Sequence, residues 1–201
     1  MTILSLSTLI ILAVLVLLGL SNRALKDFRM GTIASFVLLA LVGLLNLIPT
    51  VTIAAVSFRV GVILFYGFCI AMFIFRGKAG NRGIAFLITI IIAGIIYGGT
   101  ALANLFGNAF FSGLNFVYAI VAGLFALAFT KNAKYSFISA ATAILIDSII
   151  LQLGGPVNLT AGFEWALLAS AVSVVLYGLL STVQTKPSRM SYYFEMGRLE
   201  D

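Results

Sequence analysis

Long apolar runs separated by short polar or charged connections make up almost the whole chain. A membrane-spanning helix needs about 20 mostly apolar residues, and seven such runs occur, at about 3–20, 31–48, 59–75, 83–103, 113–130, 135–153 and 164–181. Most connections carry the turn residues Gly, Pro or Asn, as at Ile48-Pro49 and Gly154-Gly155-Pro156. This pattern predicts an all-α, polytopic integral membrane protein. Its seven-helix bundle forms a single transmembrane domain over residues 1–185, and a tail over 186–201 follows. The first run is expected to be a retained span and not a cleaved signal, because no basic residue precedes it and a basic cluster follows it.

Composition agrees with the pattern. The chain is 62% hydrophobic and 9% charged, against about 25% charged residues in a typical soluble domain. Its net charge of +6 would suggest a nucleic-acid partner if the basic residues were clustered on one domain, but all of the 12 except Arg59 lie in alternate connections and the tail. The first such connection holds Arg23, Lys26 and Arg29, the third Arg76, Lys78 and Arg82, and the fifth Lys131 and Lys134. Lys186, Arg189 and Arg198 are in the tail. Positive charge marks the cytoplasmic side of a membrane protein, so the N-terminus is expected outside and the C-terminus in the cytoplasm of a prokaryotic plasma membrane. The expected surroundings are a lipid bilayer, with no nucleic acid.

Several chemistries are excluded by what the chain lacks. It has no histidine, which removes the HExxH zinc proteases, the Ser–His hydrolases and the histidine-zinc membrane hydrolases. Cys69 is the lone cysteine, so neither an internal disulfide nor a thiolate cluster can form. Only Asp147 places an aspartate within a span, where an aspartyl protease needs two. Every lysine falls in a connection or the tail, where none can form a Schiff base inside a helix. The expectation is a protein that is not an enzyme and carries no metal and no cofactor.

The stretch 136–155 concentrates the chemistry that remains. Asp147 stands about 13 residues beyond Lys134, or ~20 Å along a helix, in the outer half of the bilayer. A carboxylate inside a span costs about 2.5–3.5 kcal/mol on insertion scales and usually faces protein or water. Arg59, Asn115 and Glu164 begin inward-running helices near the same surface, so Asp147, Arg59, Asn115 and Glu164 are the expected lining of a polar site. Arg59 is expected to pair with Asp147, either as a structural pin between helices or as the balance to a cation- or proton-binding carboxylate, the alternative being that Arg59 snorkels to the surface. Helix packing is expected at the small residues Ala140 and Ala143, on the stripe of Asp147, and at Gly94 and Gly98 of a small-xxx-small face. Trp165 fits an interfacial aromatic position. The aromatic and basic tail is expected to be solvated by default, with docking on the inner membrane surface or on another subunit as the alternatives.

Two functions follow from these residues. In one, the protein binds or translocates a small solute or cation through a polar site in the outer half of the bundle. In the other, it is a non-catalytic accessory subunit of a larger membrane complex or a homo-oligomer.

Overall fold

The computed structural model describes residues 3–17, 22–75 and 79–183. Arg76, Lys78 and the tail, whether solvated or docked, lie outside the described residues. Among these residues the chain is mostly helical, with eight helices: α1 (Ile3–Leu17), α2 (Asn22–Phe28), α3 (Thr32–Leu45), α4 (Val60–Phe75), α5 (Ala79–Leu105), α6 (Phe116–Thr130), α7 (Ala133–Ile150) and α8 (Phe163–Val183). Three contain stretches long and apolar enough to cross a membrane, Gly80–Leu105, Ala133–Ile150 and Phe163–Leu180. Four more, Ile3–Leu17, Thr32–Leu45, Val60–Ile74 and Phe116–Thr130, are apolar but shorter, at 10–17 residues. Ile33, Phe86, Phe129 and many other large apolar side chains face outwards, which suits a lipid surround.

Asparagines start two of the inner helices. Asn115 and Asn132 adopt extended backbone, and each side-chain oxygen accepts two N–H groups of the following turn, as helix N-caps do. At the start of α7, Asp27 adds a further acceptor to the Ala133 N–H, at 3.1 Å. This ties the short α2 to α7.

Helix α7 forms the centre, packed by α5, α6 and α8 with α4 and α2 on its remaining side, while α1 bridges α3 and α8. Small side chains permit this density. Ala140 and Ala143 are fully buried, and hydroxyls cross between helices, from Ser139 to the Ala85 carbonyl (3.0 Å) and from Ser170 to that of Phe137 (3.3 Å). At Gly123 a β-carbon would stand 2.5 Å from the Ala169 carbonyl oxygen, so α6 and α8 meet backbone to backbone there. The expected packing at Gly94 and Gly98 is not found: nothing lies within 4 Å of either β-carbon position. The close approach on α5 is instead at Gly99, where a β-carbon would be 2.9 Å from the Tyr118 hydroxyl. The buried face of α5, through Ile88, Ile92 and Ile96, is turned away from Gly94 and Gly98.

A small sheet departs from the all-helical expectation. Strands β1 (Val51–Ile53) and β2 (Val56–Phe58) form a hairpin, and β3 (Val157–Asn158) pairs parallel to β2. The segment Val51-Thr-Ile-Ala-Ala-Val-Ser-Phe58 is rich in β-branched residues, and Ala54 takes the left-handed conformation (φ 53°) at the turn.

Candidate functional site

The sheet determines what faces what at this end of the bundle. Val56 pairs with Val157 and Ser57 with Asn158, and the ladder continues through the Leu159 N–H to the Ser57 carbonyl at 2.9 Å. Two residues beyond the Ser57–Asn158 pair, the chains reach Arg59 and Thr160, and both then turn into helices, α4 and α8. A residue pair 101 positions apart in sequence is thereby set at neighbouring places over the helix ends.

The segment carrying β3 is held by polar side chains at the end of α7 and in the turn that follows it. Gln152 donates to the Ser148 carbonyl (2.7 Å) and accepts from the Asn158 N–H, while the Ser148 hydroxyl donates to the Ala161 carbonyl at 2.8 Å. Gly162, with φ 78°, rests on Ser148: a β-carbon would meet the serine's side chain at 3.0 Å. The same close contact includes Leu114, so the approach to α6 lies at this end too.

A cavity of about 210 Å³ lies among these elements, lined by Ser5, Asn46, Arg59, Thr160, Ala161, Gly162, Phe163 and Glu164. It draws on α1, the end of α3, the start of α4 and the turn into α8. Part of its polar equipment has no partner among the described residues. Asn46 is only 2% exposed, yet neither its Oδ1 nor its Nδ2 has a hydrogen-bond partner, and the buried Thr160 hydroxyl has none either. Arg59 makes two long contacts, from Nε to the Thr50 hydroxyl at 3.5 Å and from Nη1 to the Asn46 carbonyl at 3.4 Å. Both exceed the usual 2.9–3.0 Å mode for N–H···O bonds.

The four residues expected to line one site separate into three places. Arg59 and Glu164 line this cavity together. Asn115 caps α6, accepting from the Val117 and Tyr118 N–H groups and donating to the Phe110 carbonyl at 2.8 Å, so all its polar atoms are engaged locally. Asp147 is fully buried in α7, within electrostatic reach of Tyr118, and neither carboxylate oxygen has a hydrogen-bond partner. The expected Arg59–Asp147 pair is therefore absent. Helical geometry explains the separation: Ser148, next along α7, faces the α8 turn under the cavity, while Asp147 is rotated about 100° away from it.

Asn46, Thr160 and Ser5 belong to the cavity but were not among the expected lining. The signal for Asn46 was present in the sequence, as a lone amide closing an apolar run. Thr160 had none beyond its place in a polar turn. No family model, no curated protein and no solved structure matches this chain.

Proposed function

We propose that this protein spans a prokaryotic plasma membrane seven times, N-terminus outside and C-terminus in the cytoplasm, and binds or translocates a small solute or ion through the polar cavity at the outer end of its bundle. The topology is supported by the alternation of basic connections and by seven apolar helices of at least ten residues. With that orientation, the cavity of Arg59 and Glu164 opens on the outer side. Asp147 lies beyond Ser148, deeper in the bundle, as the next polar group a translocated solute or proton would meet.

One observation carries the binding reading. An entire side-chain amide, that of Asn46, is buried beside a cavity without a partner for either polar atom. At least about 90% of buried polar groups are hydrogen-bonded, and an unmade bond costs about 1–3 kcal/mol, so the cavity is built for something that completes it. Native mass spectrometry after mild extraction tests the reading. A small adduct should remain on the wild-type chain and be lost from Asn46→Leu, which fills the cavity with an apolar side chain. A chain that arrives bare, with stability indifferent to any added solute, would sink it.

The accessory-subunit reading has its own support. Gly94 and Gly98 present an open small-residue face on α5 with nothing packed on it, the kind of surface on which a second membrane helix docks closely. Extraction as a stoichiometric complex, broken by Gly94→Leu, would favour that reading over the solute reading.

A further inference from the structure

A second opening lies at the other end of the bundle, where α2 leads into α3, and its walls are of a different kind. A slot of about 80 Å³ is lined by Leu12 and Val16 of α1, Phe28 of α2, Leu38 and Val42 of α3 and Phe68 of α4, among others. The lining is apolar except for Ser35, whose hydroxyl donates to the Gly31 carbonyl at 3.1 Å. An apolar space that offers water no hydrogen bonds stays dry, so hydrocarbon suits it. On α3 the lining extends from Ser35 to Val42, ~10 Å along the helix axis. The slot thus follows the helices, as an acyl chain in a bilayer does.

A wider recess of about 420 Å³ adjoins the slot and shares Met30 and Phe68 with it. Arg29 and Gly31 stand in its wall, and the small side chains of Ala34 and Ala71, both exposed, leave it open between α3 and α4. Gly31 is the N-cap of α3 and has no side chain to accept the first N–H groups, and that end of a helix favours negative charge.

Arg29 occupies a costly place. Its N–H donates to the Lys26 carbonyl (3.0 Å) and the Met30 N–H to the Leu25 carbonyl (3.1 Å), so α2 ends in a Schellman motif with Arg29 in the left-handed position, φ 52°. Glycine usually fills that position, because a β-carbon strains it. An arginine there, beside an apolar slot, points to a use for its charge. The connection over residues 21–31 holds Arg23, Lys26 and Arg29 against Asp27 alone, a surplus of +2 that pairing among these side chains does not remove. Basic residues at the cytoplasmic end of spanning helices attract anionic headgroups.

We infer, resting on the membrane orientation proposed above, that this opening binds one anionic phospholipid of the inner leaflet, with an acyl chain in the slot and its phosphate in the recess beside Arg29. In that orientation α3 leaves the inner surface at Gly31, so the slot leads from the headgroup level toward the midplane, as the chain of such a lipid does.

The test uses the full chain, purified in phospholipid-free detergent and titrated with phosphatidylglycerol or with phosphatidylcholine of the same acyl chains. Native mass spectrometry should show one phosphatidylglycerol per chain, held about fivefold or more tightly than phosphatidylcholine, and its binding should raise the unfolding temperature. Arg29→Gly suits the left-handed position, so its lipid-free unfolding temperature should match or exceed that of wild type. Its preference for phosphatidylglycerol should nevertheless fall about fivefold. Ser35→Leu fills the slot and should weaken phosphatidylglycerol about tenfold. Whether or not that variant folds, phosphatidylglycerol with a photoreactive acyl chain should cross-link to the slot walls on α3 and α4 of the wild-type protein.

Equal retention of the two lipids, or a selectivity untouched by Arg29→Gly, would overturn the inference. So would cross-linking confined to residues outside the slot. Phosphatidylglycerol that binds only after removal of residues 184–201 would also overturn it, by giving the slot to the chain's own tail. Labelling of Asn81→Cys from outside intact cells would refute the orientation and the inner leaflet with it. Lipid selectivity of the purified chain is measured apart from that orientation, so the two failures are distinguishable.

Discussion

Gly61 of α4 lies directly against Asn46 at the end of α3: a β-carbon at Gly61 would stand 2.8 Å from the Asn46 backbone nitrogen and 2.9 Å from its Cγ. The bare backbone of one helix thus forms the support on which the unpartnered amide rests. Gly61→Ala should cost about 1–3 kcal/mol through overpacking and displace Asn46. Gly67, about one and two-thirds turns along the same helix, has nothing within 4 Å of its β-carbon position. Gly67→Ala should stay within about 0.5 kcal/mol of wild type or gain slightly in stability. Thermal unfolding of the two variants in the same detergent checks the contrast, and equal effects would contradict this packing.

Asp147 sits in the interior of α7 with no hydrogen-bond partner for its carboxylate among the described residues. Asp147→Asn keeps the shape and removes the ionisable group, and should leave stability unchanged or raise it by about 1–3 kcal/mol. Reversible unfolding measures this. Marked destabilisation would show that the carboxylate has a stabilising role. Higher stability together with loss of solute retention or uptake would assign Asp147 to transport.

Asn115 belongs to the fold and not to the cavity lining. Asn115→Ala removes an N-cap that accepts two N–H groups of α6 and should cost about 0.5–2 kcal/mol. Solute retention by native mass spectrometry should be the same as for wild type. Loss of retention at unchanged stability would return Asn115 to the site.

The proposed orientation is open to direct labelling, because the native Cys69 is buried and should stay silent to a membrane-impermeant maleimide. A cysteine replacing Ala54 at the tip of the β1–β2 hairpin should label from outside intact cells. A cysteine replacing Asn81, beside the basic Arg82, should label only after the membrane is opened. The reverse pattern would invert the topology.

How much was legible before the fold can be judged from particular residues. The apolar runs and the Asn caps are local: a 3.6-residue helix needs only its own sequence and neighbouring turn residues to be recognised. Seven of the eight described helices fall on the seven expected spans, and only α2, within a basic connection, adds one. The small residues of α7 likewise announce a crowded helix from composition alone.

What the sequence by itself determined was therefore the helical class of the fold, where its apolar helices lie, the alternation of basic connections and the short inventory of polar residues available for chemistry. Only the tertiary structure decided which of those residues meet. Arg59 was expected beside Asp147 because both share a depth, but depth leaves azimuth open, and a rotation of one residue along α7 turns Ser148, not Asp147, toward the cavity turn. Gly94 and Gly98 have the right spacing for close packing, yet the neighbouring Gly99 makes it, because the face a helix buries is chosen by its neighbours. The β2–β3 pairing, which sets Arg59 next to Thr160, joins segments some hundred residues apart through backbone hydrogen bonds that no local pattern encodes. The cavity exists because of those long-range choices, which is why Asn46, in the sequence only an amide at the end of an apolar run, becomes part of its lining in the fold.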